Sequence, residues 1–384
     1  MIYAAAIVAW GAIAIIGYVY IGYPLVLWLL AHLRRREIRQ TEIVPSVTLI
    51  VSAFNEARVI GEKLENSLAL DYPADRLEIL VVSDASTDDT DRIVEGFAEK
   101  GVTLLRMPER HGKTVGLNAA MQVAQGEIVV FSDANILYQH DALRCLVRNF
   151  ADPAVGCVTG DSCYIAPHQS AAHVQEDTYW KYERIVRTLE SHIGSTVGGD
   201  GAIFAIRREF YTPLPPEAIN DFVTPLQIVA RGYRAVFEPT AIGCEPSAGH
   251  FGGEFRRKRR IVNRSWRGVM SVPEVLNPRQ VGVFAWQVWS HKVLRWLVLP
   301  LVIIAAIGCF AAAPLGVEYQ LGAWGFAASL VIAGVGAVMP NHYGPLGRFA
   351  HSVFYFYLVN LASALGVAMA MAGRIEILWV PERK

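Results

Sequence analysis

The amino-acid sequence predicts an α/β domain with a mostly parallel sheet, joined at both ends to transmembrane α-helices. Between residues 42 and 250, short apolar segments alternate with longer segments of helical pattern. Repeated β-α-β units imply right-handed crossovers and parallel strands. Long uncharged stretches precede and follow this region. These two observations predict a folded domain that helices on both sides hold at a membrane.

The composition of the 384 residues favours a membrane protein. Hydrophobic residues make up 53% of the chain, and the mean hydropathy of +0.30 is high for a soluble enzyme of this length. The formal net charge is zero, which gives no indication of nucleic-acid binding. Five cysteines without a C-x-x-C pair favour reduced thiols over a disulfide framework or a zinc site.

Residues 1–33 are predicted to form an N-terminal transmembrane anchor. Met1 to Ala31 contains no Asp, Glu, Lys or Arg, and about 20 apolar residues suffice to cross a bilayer. The stretch is too long for the core of a signal peptide, and no basic residues precede it. Four arginines follow within eight residues: Arg34, Arg35, Arg36 and Arg39. The positive-inside rule then places the following domain in the cytoplasm.

Residues 42–250 are predicted to form the cytoplasmic α/β domain. The predicted strands are Ser46–Ala53, Leu77–Ser83, Val102–Arg106, Glu127–Ser132 and Ile203–Ile206. The predicted helices are Glu56–Leu70, Thr87–Lys100, Lys113–Ala124, Tyr164–Ser191 and Thr224–Arg231. Because the strands are strongly apolar, we expect both faces of the sheet to be covered.

Polar side chains follow three of these strands directly. Asn55-Glu56 follows the first strand, Asp84 ends the second, and Asp133 ends the fourth. Ligands of open α/β sheets bind beyond the carboxyl ends of the strands, so these residues are placed where a ligand or a metal binds. The alternative is that such residues only cap turns or helices, which explains Asp88 and Asp89 well.

Neither of the two common phosphate-binding loops is present in the sequence. No G-x-G-x-x-G follows the first strand, and Gly112-Lys113-Thr114 lacks the upstream glycine of a P-loop. If phosphate binds, Lys113 and a divalent metal on Asp133 must neutralise it. A carboxylate combined with phosphate oxygens is the ligand set expected for Mg²⁺ or Mn²⁺.

An ordered set of short motifs resembles the membrane-bound family 2 glycosyltransferases, the group that holds cellulose, hyaluronan and poly-N-acetylglucosamine synthases. The motifs are Asn55-Glu56, Val82–Asp88, Gly112-Lys113 with Leu117-Asn118, and Phe131–Asn135. The resemblance implies a GT-A fold, that of nucleotide-diphospho-sugar transferases. It also implies a nucleotide-sugar donor, and we favour a UDP-sugar over a GDP-sugar.

Matched by position, the resemblance assigns donor and metal contacts. Asp84 would bind the base, Lys113 would contact the nucleotide, and Asp133 would hold Mg²⁺ or Mn²⁺ on the diphosphate. The D-x-D motif of the family reads D-A-N here, so Asn135 would be a neutral second ligand. The full set of predicted donor-binding residues is Ala53, Asn55, Glu56, Asp84, Lys113, Asp133, Arg260 and Arg264.

The resemblance also implies an acceptor side. Asp221 stands where the family has the last residue of its T-E-D motif, the catalytic base, and Asn220 replaces the Glu. The predicted acceptor-binding residues are Trp180, Gly199, Asp200 and Trp266. The alternatives are that the aromatic cluster only packs, that the glycine loop is only a tight turn, and that Asp221 is only a helix cap.

The remaining segments are predicted to lie in or against the membrane. Residues 251–292 form a basic and aromatic segment that either binds anionic lipid headgroups or corresponds to the Q-x-x-R-W region of the family. Residues 293–384 contain about three spans, at Trp296–Val317, Gln320–Pro340 and Ala350–Gly373. Four spans would put both termini outside, with Arg374, Arg383 and Lys384 on the unexpected side, so the span count stays open.

The leading functional hypothesis is an inverting, metal-dependent glycosyltransferase in a multi-pass membrane protein. It would move a sugar from a nucleotide-sugar to a lipid-linked or polysaccharide acceptor at the cytoplasmic face. The alternatives are a catalytically inactive scaffold of the same fold, or a transporter with a nucleotide-sensing domain. The few spans favour single or limited transfer over secretion of a polymer. The expected partners include membrane lipids and exclude nucleic acid.

Overall fold

The computed structural model describes residues 1–165, 171–246, 251–339 and 344–375. Within these ranges, an eight-stranded sheet forms the centre of the chain, in the order β3-β2-β1-β4-β7-β6-β8-β5. The strands are β1 (Val47–Ala53), β2 (Leu77–Ser83), β3 (Val102–Arg106), β4 (Ile128–Asp133), β5 (Leu137–Tyr138), β6 (Val155–Ile165), β7 (Ile203–Arg207) and β8 (Arg234–Pro246).

The sheet is mixed but mostly parallel, as predicted. β1 pairs in parallel with β2 and β4, and β2 with β3. β7 then runs antiparallel to β4 and β6, while β6 and β8 are parallel. Four of the seven pairings are therefore parallel, and the carboxyl ends of β1, β2 and β4 lie at one edge of the sheet.

Helices cover the sheet and lead into the membrane segments. Before and within the sheet domain they are α1 (Ile2–Gly17), α2 (Tyr23–Leu33), α3 (Ile60–Leu68), α4 (Thr90–Glu95), α5 (Lys113–Val123), α6 (Ala142–Val147), α7 (Ala171–Ile193) and α8 (Asn220–Ala230). After it they are α9 (Phe251–Ser271), α10 (Pro278–Val281), α11 (Val283–Val288), α12 (Leu294–Trp296), α13 (Val298–Ala312), α14 (Val317–Val338) and α15 (Gly344–Met371). One π-helical turn, Tyr18–Gly22, lies between α1 and α2, and another, Trp289–Val293, lies between α11 and α12.

Both faces of the sheet are buried, which explains why the central strands carry apolar residues on both faces. Leu49 and Val51 of β1 pack into one hydrophobic cluster. Ile50 of the same strand packs into a second cluster, together with Phe131 of β4. A strand covered on both faces loses the alternation of apolar and polar residues, so the sequence pattern and the observed burial agree.

In the second half of the sheet, β7 was predicted as the strand at Ile203–Ile206, whereas β6 and β8 were not predicted. The predicted helix Tyr164–Ser191 overlaps the end of β6, and the described helix is α7, which begins at Ala171. Polar residues and glycines break the apolar pattern of β6. Gly160 is required there because a Cβ atom would lie 2.4 Å from the carbonyl oxygen of Ala241 in β8. The close approach of β8 therefore requires a glycine at position 160. Because glycine is uncommon inside strands, this residue makes β6 hard to recognise in the sequence.

Cys163 and Cys244 form a disulfide, so the expectation of reduced thiols is wrong for this pair. The two residues face each other in the parallel register of β6 and β8. They are 81 residues apart in the chain, and their pairing depends on a strand contact that the cysteine spacing does not reveal. Cys145, Cys157 and Cys309 are free and buried.

Four described helical segments are long and apolar enough to cross a membrane, one near the N-terminus and three near the C-terminus. They are Ile2–Leu33, Val298–Leu315, Val317–Val338 and Gly344–Met371. The basic helix α9 packs against α15, because Gly366 leaves room for its backbone: a Cβ atom there would lie 2.7 Å from the Arg259 carbonyl oxygen. Asn263 adds a hydrogen bond of 3.2 Å to the carbonyl of Gly366. Arg383 and Lys384 lie outside the described residues.

Candidate active site

The register of the parallel strands brings the predicted donor residues to one edge of the sheet. Ala53 is the register partner of Ser83, and Ser52 is the partner of Asp133. The Asp84 N–H also donates to the carbonyl of Ala53, at 3.0 Å. The loops after β1, β2 and β4 therefore begin side by side.

Asn55 ties the first two of these loops together. Its side-chain oxygen accepts a hydrogen bond of 2.8 Å from the Thr87 N–H, and its own N–H donates to the Ser86 hydroxyl at 3.1 Å. Asn55 and Ala85 both have a positive φ, of 54° and 56°. Asn tolerates this conformation, whereas Ala adopts it rarely, and such residues concentrate at functional sites. The Glu56 N–H donates to the Thr90 hydroxyl at 2.8 Å, which extends the link.

Asp84 organises the loop that precedes α5. Its two carboxylate oxygens accept the N–H groups of His111 and Gly112, at 2.9 and 2.8 Å. Gly112 has a φ of 91°, which favours glycine. The Arg110 guanidinium lies 3.8 Å from the centroid of the Phe54 ring. Asp84 thus fixes a concave loop over the end of β1, and its contact with a nucleotide base stays a prediction.

Lys113 forms an ion pair with Asp133. Its Nζ atom lies 2.5 Å from Asp133 Oδ1, and the two side chains are 38% and 39% exposed. Partial burial disfavours the charged lysine, but Asp133 and then Asp221 outweigh this and raise the pKa of Lys113 above its ordinary value. Lys113 therefore remains a cation between the predicted metal ligand and the predicted base.

The residues at the end of β4 fit a divalent metal. Asp133 offers a carboxylate and Asn135 an amide oxygen, the hard oxygen donors that Mg²⁺ and Mn²⁺ prefer. The Lys113 ammonium already occupies a cation position on Asp133. Among the described residues, no group of three or more His, Cys, Asp or Glu side chains could hold a metal. A cation here would therefore depend on substrate phosphates as well, as is usual for Mg²⁺.

Sequence reasoning missed Glu245, which lies at the end of β8. Asn135 Nδ2 donates a hydrogen bond of 2.5 Å to Glu245 Oε2. Burial raises the pKa of Glu245, and the negative charge of Asp133 raises it further. The two residues are 110 positions apart, and no local motif marks their contact.

Lys63 was also missed. It is fully buried in α3, and its Nζ atom donates to the carbonyl of Ile136 at 2.7 Å. The ammonium lies 3.9 Å from the centroid of the Tyr138 ring. Burial lowers the pKa of Lys63 to about 7. Asn66 of the same helix exchanges two hydrogen bonds with the backbone of Tyr138, so α3 holds the segment that follows Asp133 and Asn135.

Asp221 lies in the first turn of α8, against the glycine loop before β7. Its backbone carbonyl accepts the Gly199 N–H at 2.6 Å, and α8 has no side-chain cap hydrogen bond. Burial raises the pKa of Asp221, and Asp200 and Asp133 add to this, while Lys113 opposes it. A raised pKa suits a carboxylate that accepts a proton near neutral pH.

Arg187 connects two of the predicted acceptor residues. Its Nη1 atom lies 3.4 Å from Asp200 Oδ2, and its guanidinium carbon lies 5.5 Å from the centroid of the Trp180 ring. The Asp200 N–H donates to the Thr159 hydroxyl at 2.8 Å. Trp180 and Asp200 therefore both contact Arg187, and Thr159 holds Asp200 from a second side.

A buried ionic network continues from this cluster to the membrane helices. The Glu183 carboxylate binds three cationic or ring nitrogen groups, from His291, Lys292 and Arg295, at 3.0 to 3.1 Å. Burial opposes the ionisation of Glu183, but Lys292, His291 and Arg295 hold its pKa well below the usual range. Glu190 accepts hydrogen bonds from Tyr23 of α2 and contacts His291. The network therefore anchors α7 against α2 and against residues 289–296.

Arg264 joins α9 to the loop that leads into Asp221. Its side chain donates to the carbonyls of Glu217 and Ala218, at 2.7 and 2.6 Å. Trp266 packs beside Trp296, with 6.1 Å between ring centroids. Trp266 and Arg264 line a cavity of about 450 Å³ together with residues of α15. Arg260 lies half-buried on the same helix, and its contact with a donor stays a prediction.

Comparison with protein families gives one matching model. The model described as Glycosyl transferase family 2 matches residues 48–211. The matched segment contains Asn55, Asp84, Lys113 and Asp133. Asp221 and the residues of α9 lie beyond its end.

Two curated relatives are named as glycolipid and polysaccharide synthases. The chain is 32% identical over 152 residues to the beta-monoglucosyldiacylglycerol synthase of Synechocystis sp., covering 37% of this chain and 32% of that protein. It is 24% identical over 202 residues to the poly-beta-1,6-N-acetyl-D-glucosamine synthase of Staphylococcus aureus, covering 51% of this chain and 48% of that protein. The alignments thus span between a third and a half of the lengths of these relatives.

One solved structure resembles nearly the whole chain. It is the mannosyltransferase PcManGT from Pyrobaculum calidifontis, in complex with GDP-Man and Mn²⁺. The TM-score is 0.66 at 28% sequence identity, and the similarity covers 93% of this chain and 98% of that one. The predicted fold class, a GT-A-like core with a mostly parallel sheet, is confirmed.

Proposed function

We propose that this chain, whose residues 48–211 match the model described as Glycosyl transferase family 2, transfers a sugar from a nucleoside diphosphate donor to an acceptor hydroxyl at a membrane. One observation carries the proposal: Lys113 is ion-paired with Asp133 and is also electrostatically coupled to Asp221. The group proposed to stabilise the leaving diphosphate and the group proposed to accept a proton are thus electrostatically coupled.

The donor is proposed to bind over the carboxyl ends of β1, β2 and β4. Asn55 and Asp84 hold the loops that would surround the nucleotide, and Lys113 would neutralise the diphosphate. When bound at Asp133 and Asn135, Mg²⁺ or Mn²⁺ would supply further positive charge to the leaving group. The mannosyltransferase PcManGT holds GDP-Man and Mn²⁺, which supports this class of donor and metal.

Asp221 is proposed as the general base of an inverting transfer. Its carboxylate would take the proton of the acceptor hydroxyl while the acceptor oxygen forms a bond to the anomeric carbon. The bond from that carbon to the diphosphate oxygen breaks in the same displacement, so the reaction needs no enzyme nucleophile. Burial, which raises the pKa of Asp221, makes the carboxylate a stronger base than a solvated Asp.

The acceptor is proposed to be lipid-linked or a glycan, approached from the side of α7 and α9. Trp180 and Asp200 lie on this side, and α9 packs against a candidate transmembrane helix. Two relatives are named as makers of a glycolipid and of a polysaccharide, which supports both acceptor classes. A cytoplasmic position of the domain and a UDP-sugar rather than a GDP-sugar stay predictions.

The test is nucleotide release by the purified full chain in detergent or vesicles. UDP- and GDP-sugars are supplied one by one, with Mn²⁺, with Mg²⁺ or with chelator, in the presence of a bacterial lipid extract. Release of UDP or GDP from one donor, with a labelled sugar recovered in lipid or glycan, supports the proposal. Nucleotide binding without turnover of any donor would favour an inactive scaffold, and no nucleotide binding would contradict the proposal.

A further inference from the structure

Asn135 stands where a D-x-D motif has its second carboxylate, and its side chain contacts a carboxylate from elsewhere in the chain. Asn135 Nδ2 donates to Glu245 Oε2 at 2.5 Å. Because the amide nitrogen is used in this bond, Oδ1 of Asn135 is the atom left to coordinate a cation. A carboxylate that the motif itself lacks, that of Glu245, is therefore in direct contact with Asn135.

The backbone places Glu245 at this point with little freedom. Cys244 is the register partner of Leu137, and Gly243 is the partner of Tyr138, in the antiparallel pair of β5 and β8. A Cβ atom at Gly243 would lie 2.8 Å from the Ile136 side chain. β8 therefore passes directly against the two residues that follow Asn135. The disulfide from Cys244 to Cys163 ties the same end of β8 to β6.

The charges around Glu245 leave its carboxylate under-compensated. Its hydrogen-bond donor is a neutral amide, and the nearby acids Asp133 and Asp200 repel it. Arg257 of α9 contributes some favourable charge, but it is also ion-paired with Glu254 at 3.7 Å. A half-buried carboxylate beside another acid is costly, and a divalent cation between Asp133 and Glu245 would remove that cost.

We propose that Glu245 is the second carboxylate ligand of the divalent cation held by Asp133, in place of the acid that is absent from D-A-N. The inference rests on the proposed function, because a divalent cation is bound there to neutralise a nucleoside diphosphate. Two carboxylates together with phosphate oxygens form the ligand set by which proteins usually hold Mg²⁺ or Mn²⁺.

The inference is tested by Mn²⁺ binding to the purified full chain, measured by electron paramagnetic resonance with UDP or GDP present. Glu245→Gln keeps an oxygen that accepts the Asn135 hydrogen bond but removes the charge. We expect it to weaken Mn²⁺ binding by about ten-fold or more. The matched control is Glu127→Gln, at the opposite end of β4, where the side chain is 63% exposed. The control should leave Mn²⁺ affinity unchanged.

A double substitution separates a ligand from a residue that only orients Asn135. Asn135→Asp with Glu245→Gln exchanges the donor and the acceptor of the hydrogen bond and moves the carboxylate to the motif position. We expect this pair to restore Mn²⁺ affinity to within about three-fold of the wild type. Thermal melts of each variant confirm that it is folded.

Three results would overturn the inference. They are a wild-type chain that binds nucleotide but no Mn²⁺, a Glu245→Gln variant that binds Mn²⁺ as the wild type does, and a double variant no better than Glu245→Gln. None of these would contradict sugar transfer itself, which the release of UDP or GDP measures separately. A failure of nucleotide release with intact Mn²⁺ binding would instead count against the proposed function.

Discussion

The backbone carbonyl of Asp221 accepts a hydrogen bond of 2.6 Å from the backbone N–H of Gly199. This bond joins α8 to the glycine loop that precedes β7. The approach is close enough that a Cβ atom at Gly199 would lie 2.8 Å from the Asp221 carbonyl oxygen. The position of the proposed base therefore depends on a glycine in a neighbouring loop.

Gly199→Ala is expected to displace Asp221 and to lower kcat by about ten-fold or more, because sub-ångström to ångström shifts of catalytic groups are costly. Donor binding should change little, since the proposed nucleotide site lies at the ends of β1, β2 and β4. The measurement is kcat for nucleotide release, with donor affinity taken from equilibrium binding. Gly194→Ala is the matched control, because a Cβ atom there meets nothing within 4 Å. Equal kcat in the two variants would show that the contact has no catalytic role.

Asp200→Asn is expected to move the acid limb of the pH profile to lower pH. The charge of Asp200 raises the pKa of Asp221, in addition to burial. A base is active when ionised, so lowering its pKa extends activity to lower pH, by up to about one pH unit. The midpoint of kcat against pH is the quantity measured, at saturating metal. Asp152→Asn, which removes a carboxylate that lies 3.9 Å from Arg234, serves as the control. An unshifted or raised midpoint for Asp200→Asn would contradict the coupling.

Lys113→Met is expected to weaken the binding of nucleotide and to strengthen the binding of Mn²⁺. Loss of the ammonium should weaken UDP or GDP binding by about ten-fold or more, because a charged hydrogen bond to phosphate is lost. It should strengthen Mn²⁺ binding in the absence of nucleotide by about two- to five-fold, since the ammonium no longer competes for the half-exposed Asp133. Both affinities are measured by calorimetry, with Lys100→Met as the control. Weaker Mn²⁺ binding in the variant would contradict competition for Asp133.

Lys63→Met is expected to remove a pH-dependent part of the stability. Burial lowers the folded-state pKa of Lys63 to about 7, below the value of about 10.4 in an unfolded chain. Between these values the unfolded state binds the additional proton, so the free energy of unfolding of the wild type rises with pH, by at most about 1.4 kcal/mol per pH unit. The variant lacks this contribution.

The measurement compares unfolding of the wild type and Lys63→Met in detergent at pH 7, 8 and 9. The wild type should gain stability relative to the variant as the pH rises across this window. Parallel pH dependences in the two proteins would show that Lys63 does not change its protonation on unfolding.

The first half of the domain could be predicted because its signals are local. β2 and β4 are apolar runs that end in polar residues, and this alone located Asp84 and Asp133 at the edge of the sheet. Their roles still depend on binding experiments. The limits of β2 and β3 agree with the predicted limits, and α5 differs from its predicted limits by one residue.

In the second half, β6 and β8 could not be predicted because they depend on contacts between distant segments. β6 and β8 contain polar residues and glycines, and they become strands by pairing with each other across about 80 residues. The disulfide of Cys163 with Cys244 follows from that pairing, and the contact of Asn135 with Glu245 follows from the pairing of β8 with β5. Lys63 gave no signal either, since a lysine in an amphipathic helix is ordinarily exposed.

The most direct test of the account is sugar transfer by Asp221→Asn, measured together with donor binding. Asn is close to Asp in shape but cannot accept the proton of the acceptor hydroxyl. The account predicts that the variant binds the nucleotide-sugar and Mn²⁺ with wild-type affinity and transfers sugar at least about a hundred times more slowly. A variant that transfers sugar at the wild-type rate would contradict the assignment of Asp221 as the base.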